Sequence, residues 1–126
     1  SKKIPIIFPV HPMTKKNIDK FKINFNKNIL KIKPLSFMEF LNLWRDSSIV
    51  ITDSGGLQEE AVCANKKVLV CRDTTERPET IESGYGKLVD TEIIENVDFL
   101  LSETSVELSE NPYGKKVCEK IINIIK

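Results

Sequence analysis

Ile49-Val50-Ile51-Thr52-Asp53-Ser54-Gly55-Gly56-Leu57-Gln58-Glu59-Glu60 decides the fold, because a β-branched run ends abruptly in a hydroxyl and two glycines and a helix-forming segment follows at once. A strand should run over residues 49–51 and a helix should open at Ser54, whose hydroxyl can cap it. Gly55 and Gly56 let the main chain approach a ligand without Cβ interference, and the unpaired N–H groups of a first helical turn favour an anion. Glu60 falls one to two turns further in, within reach of a sugar hydroxyl. The same pattern also fits an ordinary strand-to-helix turn with a Ser cap.

Outward from this stretch, short runs rich in Ile and Val recur at residues 4–8, 29–32, 68–71 and, more weakly, 88–89, with segments of helical length between them. Strands alternating with helices predict an α/β fold built on a doubly wound parallel sheet. The continuous apolarity of residues 49–51 and 68–71 predicts strands covered on both faces. Phe37, Phe40, Leu41 and Trp44 recur at helical spacing behind a capping Ser36, and this stripe should pack on the sheet. Ile93, Ile94, Val97, Leu100 and Leu101 make a second apolar face. Val117, Cys118, Ile121, Ile122 and Ile125 make a third, after the Asn111-Pro112-Tyr113-Gly114 turn. Residues 1–126 should form a single domain with 114–126 as a terminal amphipathic helix.

The chain of 126 residues carries 19 Lys plus Arg against 18 Asp plus Glu, interspersed, so no net field draws in nucleic acid or an anionic membrane. The lysines between Lys2 and Lys33 read as solvated faces. Cys63, Cys71 and Cys118 make an odd count without CxxC spacing, and Cys63 and Cys71 read as small core residues of a protein from the reducing cytoplasm. No apolar run approaches the roughly 18 residues of a membrane span. Metal-ligand spacing is absent, as are a Gly-x-Ser-x-Gly elbow, a P-loop and a Gly-x-Gly-x-x-Gly fingerprint. No cofactor is implied. Asp-Ser-Gly-Gly occurs in trypsin-like proteases, but here it sits between strand and helix in a chain with a single His.

In an open parallel sheet, ligands bind beyond the carboxyl ends of strands. Asp53 to Gly56 occupies one such end, Arg72-Asp73-Thr74-Thr75-Glu76-Arg77-Pro78-Glu79 follows the next strand, and His11 follows the first. The Arg72–Glu79 cluster can line a cleft or be tied together by its own ion pairs, and His11 before Pro12 can be a plain loop residue.

Pro9-Val10-His11-Pro12, Thr52 to Glu60, Arg72 to Glu79 and Asn111 to Gly114, in that order, resemble the motifs of the non-hydrolysing UDP-N-acetylglucosamine 2-epimerases. The resemblance covers nearly the whole chain and implies the Rossmann-like, C-terminal UDP-binding half of a glycosyltransferase-B-type fold, with an N-terminal domain lying before Ser1. It implies that Ser54, Gly55 and Gly56 hold the diphosphate, that Glu60 takes the ribose hydroxyls and that Phe40 borders the uracil, although Phe40 also belongs to the apolar helix stripe. His11 and Arg77 are implied as contacts of the cleft or of an activating second UDP-sugar. Met13 stands where some relatives carry Arg, and Asn65-Lys66-Lys67 where many carry Gly-Lys-Pro, a place where Asn can adopt the left-handed helix-ending geometry. The implied chemistry interconverts UDP-GlcNAc and UDP-ManNAc by eliminating and re-adding UDP, for surface polysaccharide. Its proton-transferring carboxylates belong to the other half, so no catalytic residue is expected here and the isolated fragment should be inactive. The full-length enzyme should be a homodimer. Two alternatives remain: an epimerase of a related UDP-2-acetamido sugar, or a non-catalytic UDP-sugar-binding module.

Overall fold

The computed structural model describes residues 4–89, 110–114 and 116–125, and the chain falls into two compact units, Ser1–Trp44 and Arg45–Lys126. The apolar face expected from Ile93 to Leu101 lies outside the described residues. Among the described residues no helix is long and apolar enough to cross a membrane.

The first unit runs β1 (Ile6–Pro9), α1 (Pro12–Lys20), β2 (Ile29–Ile32) and into α2 (Phe37–Arg45). β1 and β2 pair in parallel, Ile6 opposite Ile29 and Pro9 opposite Ile32. α1 begins with proline, whose fixed φ suits a first helical position and whose missing N–H would find no intrahelical acceptor there. α2 opens on a reciprocal cap: the Ser36 N–H donates to the Glu39 carboxylate at 2.8 Å, and the Glu39 N–H donates to the Ser36 hydroxyl at 3.5 Å. Two lysines expected on solvated faces lie over aromatic rings, Lys31 at 4.8 Å from the Phe25 centroid and Lys20 at 5.2 Å from that of Phe21. Such contacts stabilise by about 0.5–1 kcal/mol at exposed sites.

The stripe expected on α2 is only partly packed. Trp44 is buried and Phe40 and Leu41 are half-buried, but Phe37 is 65% exposed. Phe37 is the first residue of the helix, and helical side chains lean toward the amino end, which carries it beyond the packed stripe.

The second unit runs β3 (Ile49–Thr52), α3 (Gly55–Cys63), β4 (Lys67–Val70), α4 (Pro78–Glu82), β5 (Gly86–Leu88) and α5 (Val117–Ile125). Its sheet has the order β3-β4-β5 and is parallel throughout, with Val50 opposite Val68 and Val68 opposite Gly86. Helices α3 and α4 make the crossovers, α3 lying against β4 and α4 against β5. Val68, Leu69 and Val70 of the central strand are fully buried, as a strand covered on both faces requires. Each such side chain contributes about 1.5–3 kcal/mol relative to exposure. β3, at the sheet edge, departs from that pattern: Ile51 is 38% exposed.

The strand starts are laced together by side chains. Lys66 Nζ donates to the Ser47 carbonyl at 2.7 Å, and the hydroxyl of buried Tyr85 donates to Asn65 Oδ1 at 2.8 Å. Asn65 has φ of 58°, the left-handed conformation expected where relatives carry glycine. Its side chain gives Tyr85 an acceptor that glycine lacks.

The cysteines differ from expectation. Cys63, the last residue of α3, is exposed rather than in the core. Cys71 is half-buried against Leu69 and Val89, where burial and then the Asp53 carboxylate push its thiol pKa up. On α5, Ile121, Ile122 and Ile124 are exposed, the last by 84%.

Candidate functional site

β3 hands over to α3 through a turn that its own hydroxyls organise. Thr52 Oγ1 accepts from the Ser54 N–H at 3.0 Å, and Ser54, in extended geometry, caps α3 by accepting from the Leu57 N–H at 3.5 Å. The first intrahelical bond runs from the Gln58 N–H to the Ser54 carbonyl at 3.2 Å. Ser54 therefore serves as the cap, while the Gly55 and Gly56 N–H groups belong to the first turn, which has no intrahelical acceptor for them. Neither glycine has a positive φ. What they contribute is the absence of a side chain: a Cβ on Gly56 would meet nothing within 4 Å, and without it the main chain there stays open to close approach. The amides and the helix dipole together make this an anion-accepting surface.

Glu60 is exposed on α3, one turn past Gly56 on the same face, and its carboxylate forms no hydrogen bond or ion pair among the described residues. Its carboxylate is an acceptor-only group next to a surface that attracts phosphate.

The loop after β4 opens on the same edge, as parallel pairing demands. Arg77 crosses from it to α3: its Nε donates to Glu59 Oε1 and its Nη1 to the Glu76 carbonyl at 3.0 Å. The guanidinium carbon lies 3.9 Å from where a Gly55 Cβ would stand. The Glu59 hydrogen bond and charge raise the Arg77 pKa further, fixing a positive group beside the helix start. Of the two readings left open for this loop, the internal ion pairs hold in part: Arg72 pairs inside it with Glu76 at 3.8 Å, whereas Arg77 pairs outside it, with Glu59 of α3. The loop is also tied at its middle, where the Thr75 hydroxyl donates to Gln58 Oε1 at 2.8 Å and accepts from the Arg77 N–H at 3.0 Å. Behind it, buried Thr80 on α4 shares a hydrogen bond with the Tyr113 hydroxyl. Tyr113 sits in a turn closed by Asn111, whose Oδ1 accepts from the Tyr113 N–H at 3.0 Å and whose carbonyl accepts from the N–H of Gly114, at φ of 74°. Burial raises the Tyr113 pKa, and the Glu79 and Glu59 carboxylates add to it.

Ser54, Gly55, Gly56, Glu60 and Arg77 are thus gathered in the second unit. His11 and Phe40 belong to the first. His11 is the exposed N-cap of α1, its Nδ1 accepting from the Met13 N–H at 3.3 Å, so the imidazole already has a structural task. Phe40 is half-buried on α2. Glu59, Gln58, Thr75 and Tyr113 had no role assigned from the sequence. Glu59 was within reach, since it lies four residues after Gly55 on one helix face and would meet any cation placed there.

Residues 1–126 match the family model of UDP-N-acetylglucosamine 2-epimerase along their whole length. The UDP-N-acetylglucosamine 2-epimerase of Campylobacter jejuni is 42% identical over 97% of this chain and 34% of its own length; that of Methanocaldococcus jannaschii is 38% identical over 95% and 34%. A crystal structure of the Methanocaldococcus jannaschii enzyme in complex with UDP-GlcNAc and UDP superposes with a TM-score of 0.81 at 39% identity, over 96% of this chain and 35% of that one. The α/β class expected from the alternating runs, and the Rossmann-like fold that the resemblance implied, agree with that likeness. The chain spans about a third of the length of the curated relatives it matches, and across that third it belongs to the UDP-N-acetylglucosamine 2-epimerase family.

Proposed function

We propose that this chain is the UDP-binding part of a non-hydrolysing 2-epimerase that interconverts UDP-GlcNAc and UDP-ManNAc in the cytoplasm. The observation that carries the reading is the start of α3, where the Gly55 and Gly56 N–H groups have no intrahelical acceptor, a Gly56 Cβ would meet nothing within 4 Å, Arg77 stands beside Gly55 as a positive charge, and Glu60 lies one turn away. The amide N–H groups donate to the diphosphate and Glu60 accepts from the ribose hydroxyls. Phe40 borders the uracil, and His11 lies at the cleft. Free thiols at Cys63, Cys71 and Cys118 suit a reducing compartment.

Inversion at C2 by elimination makes UDP the leaving group, so negative charge grows on the β-phosphate as the bond to C1 breaks. Amide dipoles at the start of α3, with the Arg77 guanidinium held beside them by Glu59, would stabilise the developing charge with little reorganisation. Elimination takes the C2 proton as the C1–O bond breaks; re-addition re-forms the C1–O bond with the diphosphate held as nucleophile against the intermediate, while a proton delivered to the opposite face of C2 inverts that centre. No residue of this chain is assigned a proton transfer.

The test is incubation of the full-length enzyme with UDP-GlcNAc, followed by NMR. Accumulation of UDP-ManNAc to an equilibrium mixture supports the reading. Release of free UDP and N-acetylmannosamine instead assigns the protein to the hydrolysing branch, and turnover only of other UDP-2-acetamido sugars in a panel assigns a different substrate.

A further inference from the structure

We propose that Thr75 is a positioning residue for the nucleotide site, its hydroxyl setting where the Arg77 guanidinium stands beside the start of α3. The inference rests on α3 being the diphosphate site. Thr75 is the joint in a closed circuit that begins and ends on that helix. From Gln58, 1% exposed, the circuit passes to the Thr75 hydroxyl at 2.8 Å, from that oxygen to the Arg77 N–H at 3.0 Å, and from the Arg77 side chain back to Glu59. Gln58 is also the residue whose N–H makes the first intrahelical bond to Ser54. The reference point for Arg77 is thus the same helical turn that presents the amides. A single hydroxyl uses its donor on one side and a lone pair on the other, so no alkyl group of the same shape can replace it.

Thr75→Val keeps the volume and opens the circuit. Gln58 Oε1 then has no Thr75 donor and the Arg77 N–H no Thr75 acceptor, and the loop re-forms around whatever partners it can reach. Arg77 keeps its side-chain bonds and the bond from the Thr80 N–H to its carbonyl but loses the one that fixes its own N–H, and its charge spreads over several positions instead of one. The loss should appear in nucleotide affinity and vanish when Arg77 is already absent.

Calorimetric titration of the full-length protein with UDP tests this. Thr75→Val is expected to weaken UDP binding about tenfold, and Thr75→Ser to restore it to within about twofold of wild type. In an Arg77→Met background, adding Thr75→Val should cause no further loss. If Thr75→Val does not fold, Thr75→Ala carries the same expectations. Unchanged affinity in a folded variant, or losses from Thr75 and Arg77 that add independently, overturns the proposal, since a purely structural hydroxyl would lower the melting temperature without coupling to Arg77. Glu60→Ala run in parallel separates the two ideas: loss of affinity there with none at Thr75 removes the positioning role only, whereas wild-type protein that does not bind UDP removes the site itself.

Discussion

Glu60 is exposed, forms no pair among the described residues and lies one turn from the Gly56 amide, so its removal should cost binding and leave folding alone. Glu60→Ala is expected to weaken UDP affinity by about 1–3 kcal/mol through loss of charge-assisted hydrogen bonds, with an unchanged melting temperature; calorimetry and thermal denaturation read the two quantities separately. Gly55→Val should cost more. A Cβ there reaches ordinary contact with Arg77 at 3.9 Å, and the two methyl groups beyond it must displace either that guanidinium or the phosphate. A folded Gly55→Val protein that bound UDP normally would falsify the loop assignment. The sequence displayed these residues because cap, glycines and carboxylate are neighbours in one short stretch. Arg77 with Glu59 was not legible as a pair, since eighteen residues separate them and only the parallel register brings them together.

The reciprocal cap at the start of α2 gives that element its own pH response. Hydrogen bonds from the Ser36 hydroxyl and then the Ser36 N–H hold the Glu39 pKa below its ordinary value of 4.5. A depressed carboxylate contributes stability that is present above the unfolded-state pKa and is lost as pH falls through the folded one. Helicity of α2 should therefore decline below about pH 4.5, and Glu39→Gln should flatten that decline when chemical shifts of residues 36–45 are followed. Ser36→Ala should cost about 1 kcal/mol near neutrality. Between α4 and β5 the constraint is steric: a Cβ on Gly86 would sit 2.5 Å from Thr80 Cγ2, and Thr80 is itself held by Tyr113. Gly86→Ala is expected to destabilise the protein by about 1–3 kcal/mol in urea denaturation, the cost typical of overpacking. The Ser-x-x-Glu spacing made the cap readable in advance, though only its serine was recognised. Nothing around Gly86 distinguished it from a loop glycine, because its neighbour lies in a helix that packs only once the sheet has formed.

Across the described residues, periodicity carried the architecture: apolar runs became parallel strands, and the stripes over residues 37–44 and 117–125 fell on helices. It failed where position in the sheet decides exposure, at Ile51 on an edge strand and at Phe37 on a helix end. In the second unit, stability should centre on β4, flanked by a strand on each side and with three consecutive side chains fully buried. Amide exchange is expected to be slowest at residues 68–70 and faster by orders of magnitude in the 72–77 loop, measured by mass spectrometry on the intact protein. The sheet also has two rims of different character. Ser47 with Lys66 and Asn65 with Tyr85 fasten the strands where they begin, while Ser54 to Gly56 and Thr75 to Arg77 gather where they end. Heritable variation at the rim where the strands end can accordingly accumulate without loosening the fastened rim, and this separation leaves the domain free to diversify.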